Sequence, residues 1–259
     1  MRSRHDKKGM KMTPRFFAAA FIVLLSGGRA DAEFIGTLAF KPKGCESAGK
    51  CKIVADFKYI DPNKIGWLTK AGDITDGASI PSWAQPFIGR PFEKAFLSAA
   101  VIHDHYCDRH VRPWRQTHLV FYNALLESGV SSAFAKLMYF AVYLGGPKWV
   151  ELIPGNSCGP GCEWMRAVAL TSELPWSLTS TANIISEKAP KNLLVSAAEY
   201  DNPRFKVELT EVERMLKERG DTVDLKTLEE RAKKIKPNDF YYTHNDAVST
   251  TDVSEAPKK

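Results

Sequence analysis

The sequence predicts an α+β protein: a short N-terminal β-hairpin region, then a three-helix core, then a charged helical extension at the C-terminal side. Residues 34–75 alternate over short runs rich in β-formers, and beyond Thr75 the apolar spacing changes to the three-and-four pattern of helices. Three stretches of helical length follow with short connections between them, which favours antiparallel neighbours.

Phe34 to Phe40, Ile53 to Ile60 and Trp67 to Thr75 are the candidate strands, with Asp61-Pro62-Asn63-Lys64-Ile65-Gly66 as the turn between the last two. Pro91 opens a helix that runs through Phe92 to about Arg109, and Pro113 opens a second that reaches Ser128 before Gly129. Ser131 to Leu144 makes the third, ended by Gly145-Gly146-Pro147. Its Met138, Tyr139, Phe140 and Tyr143 read as core rather than as a lipid groove, because helical apolar stripes usually pack inward. Residues 148–198 read as irregular. Leu209 to Arg219 and Leu225 to Ile235 read as amphipathic helices of a charged hairpin over 199–236. With so few apolar positions this hairpin is expected to be peripheral and dispensable for folding, and 237–259 to be a disordered tail.

Residues 1–32 read as a signal peptide. Arg2, Arg4, Lys7, Lys8, Lys11 and Arg15 precede the apolar run Phe16 to Leu25, and Ala30-Asp31-Ala32 offers a cleavage site before Glu33. The apolar run is too short for the ~20 residues that span a bilayer, so a periplasmic or secreted protein without a transmembrane segment is expected. Seven of the 36 basic and two of the 30 acidic residues fall in that segment, which leaves 29 and 28 in the remainder. A near-neutral exported chain with no basic patch has little electrostatic reason to bind nucleic acid. Export also favours disulfides between near neighbours, Cys45 with Cys51 and Cys158 with Cys162, leaving Cys107 alone; other pairings of Cys107 stay open.

The reactive side chains concentrate in Thr75-Asp76-Gly77-Ala78-Ser79-Ile80-Pro81 and in Ala99-Ala100-Val101-Ile102-His103-Asp104-His105-Tyr106. Burying a His-Asp pair in so apolar a helix requires partners: each other, a metal or a catalytic network. Helical spacing places His103, Cys107 and His110 on one stripe and Asp104 with Asp108 on the next. His118 lies on the following helix, and antiparallel packing would turn it toward His103. His105 and His110 are expected at the surface.

Residues 56–146 resemble a family of small phage and bacterial domains of unknown function, marked by T-D-G-A-S-I-P, by A-A-x-x-H-D-x-x-Y and by a helix ending in F-x-x-A-L. More distantly, the same order is similar to the prokaryotic secreted phospholipase A2 group, whose calcium loop reads D-G-C-S and whose catalytic helix reads A-C-x-R-H-D-x-x-Y. Ala78 and Ala100 stand at both cysteine positions of that group, as a shared fold without that bridge would show. The resemblance implies a phospholipase-like three-helix core and calcium held by Asp76 and Asp104 with loop carbonyls near Gly77. It also implies His103 as the general base, Tyr106 fixing its geometry, and a lipid or cell-envelope ester as substrate. One position departs: where that group has Asp, three residues before the Phe matching Phe121, this chain has His118.

Two other readings of the same residues stand beside it. Zinc is the alternative cofactor, held by His103 and His118 with Asp76 or Asp104, or by His103, Cys107 and His110 from one helix face, as in a metallohydrolase. The third is a non-catalytic, phage-derived module of the cell envelope, its polar cluster purely architectural.

Overall fold

In the computed structural model, which describes residues 32–153 and 192–249, each of the three expected strands bends midway and serves two sheets. β1 (Glu33–Ile35) continues into β2 (Phe40–Lys41), β3 (Cys51–Ile53) into β4 (Phe57–Ile60), and β5 (Gly66–Thr69) into β6 (Ile74–Thr75). The sheets have the orders β1-β4-β5 and β2-β3-β6 and are antiparallel throughout. Alternation in the sequence reports the face a residue takes, not the sheet it joins, so the corners are silent in it. Asp61 builds the turn before β5: its carboxylate is buried and accepts from the amides of Asn63 and Ile65 and from the indole of Trp67. A disulfide joins Cys45 to Cys51. Cys158 and Cys162, the segment read as an export signal up to Asp31, and the tail beyond Ser249 lie outside the described residues.

Four helices follow: α1 (Gln85–Ile88), α2 (Lys94–Arg109), α3 (Trp114–Glu127) and α4 (Ser132–Gly145). α2 starts three residues later than Pro91 suggested, because the Pro91 carbonyl is taken by the amide of Ala78, which ties the 75–81 loop to the helix entry. Phe57, Tyr59 and Trp67 of the first sheet pack on Phe96, Ile102, Tyr106 and Phe121 in one core. Tyr106 fixes the register between helix and sheet: its hydroxyl accepts from the amide of Leu68 at 3.0 Å and its ring meets Trp67 edge-on.

α4 is buried on all sides from Ala135 to Gly145. A helix apolar all round needs cover all round, and the cover comes from the C-terminal residues. Here the expectation of a peripheral hairpin is corrected. α5 (Pro203–Arg219) and α6 (Leu225–Ile235) bring Phe205, Leu209, Val212, Leu216, Leu228 and Ala232 into a second core with Tyr139, Phe140, Tyr143 and Leu144. Two further expectations are corrected with it. Within 148–198, β7 (Lys148–Ile153) pairs antiparallel with β8 (Leu193–Ser196). Within the expected disordered tail, α7 (Phe240–Thr243) buries Phe240, Tyr241 and Tyr242, and β9 (Ala247–Ser249) adds to β7 in parallel. Arg115 of α3 clamps this end by pairing with Asp246 at 2.8 Å and donating to the carbonyls of Tyr241 and His244. No described helix is long and apolar enough to cross a membrane.

Lys148 is buried at the end of α4, where its ammonium donates to the carbonyls of Leu144 and Gly146. Burial pushes its pKa down to about 8. The unfolded chain holds that proton up to about 10.4, so the native state binds fewer protons between the two values and stability rises with pH across that window. Chemical denaturation between pH 8 and 9.5 should show the rise in the native chain, and Lys148→Met should flatten it.

Candidate active site

Two helices and one turn assemble the site. His103 is on α2, His118 is on α3, and Pro147 follows the paired glycines that end α4. Nε2 of His103 lies 2.9 Å from Nδ1 of His118, and Nε2 of His118 lies 3.1 Å from the Pro147 carbonyl. A carbonyl only accepts, so His118 carries its proton on Nε2 and presents a lone pair at Nδ1. His103 must then donate from Nε2, which leaves its Nδ1 as the atom able to take a proton. Burial, and then the charges of His103 and Lys148, hold His118 well below the usual imidazole range, so it stays a neutral acceptor. Gly146 makes room for this arrangement: a Cβ there would lie 3.2 Å from the His118 ring and 2.3 Å from the Val142 carbonyl.

Nδ1 of His103 is 3.5 Å from one carboxylate oxygen of Asp104. The other, Oδ2, is buried without a hydrogen-bond partner among the described residues. Burial drives the pKa of Asp104 up to about 6, and a proton taken up on Nδ1 of His103 would oppose the rise by hydrogen bonding and charge. Both residues face a cavity of about 410 Å³ whose other walls are mostly apolar, among them Ile80, Pro81, Ile88, Phe121, Met138 and Val142. Asp76, exposed in the 75–81 loop, and Asp108 also line it, and the charge of Asp76 acts on both of the other carboxyls. Lys50 stands at the same cavity.

Gly77 holds the loop against α2. Its φ is +79°, and a Cβ there would lie 2.4 Å from the Pro91 carbonyl. Gly77→Ala is therefore expected to destabilise by about 2–5 kcal/mol in urea denaturation, from left-handed strain plus overpacking.

The structure thus brings His103, His118, Asp104 and Asp76 to one place and sends Tyr106 elsewhere. The tyrosine of the motif A-A-x-x-H-D-x-x-Y comes four residues after the histidine, but Tyr106 comes three after His103, which turns its ring toward β5. The residue four on is Cys107, and its sulfur lies 3.4 Å from Nε2 of His103. That proximity does not make a nucleophile. Burial and the nearby Asp104 and Asp108 push the thiol well above its ordinary pKa, whereas an activated cysteine needs the reverse. His105 and His110, expected at the surface, are both partly buried: His105 pairs with Asp73 at 2.7 Å and His110 stacks edge-on against Trp149. His110 caps α2 in a left-handed turn and is not part of the His103, Cys107 and His118 group. In that group the ligand atoms lie within 4.8 Å of one another; the other such group among the described residues, Cys45 with Glu46 and Cys51, is occupied by the disulfide.

Sequence reasoning missed Tyr200 and Phe205, which line the same cavity from the C-terminal side. The one available signal was Gly145-Gly146, read only as a helix stop although it also leaves space for neighbouring rings.

Residues 51–142 match a family described as "Protein of unknown function (DUF1353)", a stretch that includes residues 75–81 and 99–106. The chain is 54% identical over 140 residues to the uncharacterized protein y4iH of Sinorhizobium fredii, covering 53% of this chain and 59% of the relative. It is 33% identical over 205 residues to the uncharacterized protein y4jT of the same organism, covering 75% of this chain and 60% of the relative. The chain thus spans about 60% of the length of these curated relatives. No solved structure matches it.

Proposed function

We propose that this domain is an exported, calcium-assisted hydrolase of lipid-like esters, acting on a lipid or other substrate of the cell envelope, with His103 as general base. One juxtaposition carries the reading: the proton-accepting Nδ1 of His103 lies 3.5 Å from Asp104, and both residues line a cavity of about 410 Å³ whose other walls are mostly apolar. Such a space suits an acyl chain whose carbonyl lies against His103 and Asp104. Nδ1 takes a proton from water as the water oxygen attacks the carbonyl carbon; when the tetrahedral intermediate collapses, the departing alkoxide takes that proton back. Neutral His118 orients the base but stabilises its protonated form less than a carboxylate does, so turnover is expected to be slow. The Cys45–Cys51 disulfide is in keeping with an oxidising periplasmic or extracellular location.

The residues present fit a hard cation, because Asp104 keeps a buried oxygen without a partner among the described residues and Asp76 lines the same cavity. Asp76 and Asp104, with loop carbonyls near Gly77, would hold it. Calcium bound there would stabilise negative charge developing on the substrate oxygen.

The convergence of His103, Cys107 and His118 favours a second reading, a zinc-dependent hydrolase with those three as ligands. Titrating calcium and zinc against thermal stability separates the two. The calcium reading expects a rise in Tm with calcium that Asp104→Asn removes and His118→Gln leaves. Tight zinc binding lost in His118→Gln would put the second reading in its place, and indifference to both metals would leave an architectural cluster.

A further inference from the structure

Part of the cavity wall is built by residues outside the stretch that matches the family. Tyr200 and Phe205 come from the start of the C-terminal helical region and line the same space as His103 and Asp104. Their rings lie 5.5 Å apart, and Phe205 packs edge-on against Trp83. Both rest on the bare backbone of Gly145: a Cβ there would lie 2.7 Å from the Phe205 ring and 3.0 Å from the Tyr200 ring. The amide of Glu199, next to Tyr200, donates to the Gly145 carbonyl at 2.7 Å, which fixes the backbone that delivers the ring. A phenol placed so firmly in an otherwise apolar wall presents a polar group only at its tip.

We infer that Tyr200 donates its hydroxyl hydrogen to the carbonyl or carboxylate oxygen of an acyl ligand in this cavity. Tyr200 would thereby add a donor from the C-terminal region to a cavity that His103 and Asp104 also line. Burial keeps the phenol protonated far above its ordinary range, so it remains a donor at any working pH. A donor aimed at developing negative charge acts more strongly in the transition state than in the ground state. The inference rests on the ester-hydrolase reading for its catalytic consequence, and on the cavity alone for its binding consequence.

Tyr200→Phe keeps the ring and its packing and removes only the hydroxyl. With the full chain, octanoate affinity by calorimetry and ester turnover are compared between the two proteins, with equal melting temperatures as the check on folding. The expected result is an octanoate affinity at least about tenfold weaker and a kcat lower by about ten- to a hundredfold, with KM little changed. A native chain that hydrolyses no ester, yet binds octanoate and loses affinity in Tyr200→Phe, removes the hydrolase reading and upholds the Tyr200 contact. Equal affinity and equal turnover in both proteins, or a native chain that binds no octanoate, overturns it.

Discussion

A chain cut before Glu199 is expected to lose cooperative unfolding altogether. The cut removes Phe205, Leu209, Val212, Leu216, Leu228 and Phe240 from the second core. At roughly 1.5–3 kcal/mol for each large buried apolar side chain, those six alone are worth on the order of 10 kcal/mol. That is comparable to the whole net stability of an ordinary domain, about 5–15 kcal/mol. It also strips one face of α4, leaving Tyr139, Phe140 and Tyr143 open to water, and deprives Arg115 of Asp246. The measurement is a thermal or urea melt of residues 33–198 beside residues 33–259. A sigmoidal transition in the shorter chain near that of the longer one would show that the first core stands alone.

This expectation reverses what the charged character of the C-terminal helices suggested, and the reason lies in two patterns that must be read together. Leu209 to Arg219 looks sparse by itself, but Phe205, Leu209, Val212 and Leu216 fall on one face, enough for a helix that covers rather than is covered. Ser132 to Gly145 has the complementary pattern, with Lys136 as its one charged residue, and so demands neighbours on every side. The α+β class and the long helices were legible because their periodicity is strong. The corners that split each strand were not, since alternation survives a bend. At the site, the spacing of His103 and His118 suggested a meeting that the packing of α2 on α3 makes at 2.9 Å. The role of the Pro147 carbonyl was not legible, because backbone groups leave no mark in sequence, and Tyr200 was hidden by a separation of nearly a hundred residues.

His103→Gln is expected to lower ester turnover by about 10²- to 10⁴-fold, the usual contribution of a general base. A glutamine side chain keeps an amide that can donate to Nδ1 of His118, so the melting temperature should move little beside the loss of rate. His118→Asp should act the other way and raise turnover. A carboxylate there accepts from Nε2 of His103 and stabilises its protonated form, and the nearby cation of Lys148, whose charge acts on His118, offsets part of the cost of burying it. Cys107→Ser should leave turnover nearly unchanged, since a thiol held protonated is no nucleophile. Initial rates on a soluble short-chain ester compare all three. Activity that persists in His103→Gln but disappears in Cys107→Ser would move the chemistry to the sulfur.

The most direct measurement is the release of free fatty acid from phospholipid or monoester micelles by purified residues 33–259, with calcium and with a chelator. Release that requires calcium and is lost in His103→Gln is the expected result. No release from any ester tested, by protein that is folded and carries its Cys45–Cys51 disulfide, would contradict the proposed hydrolase.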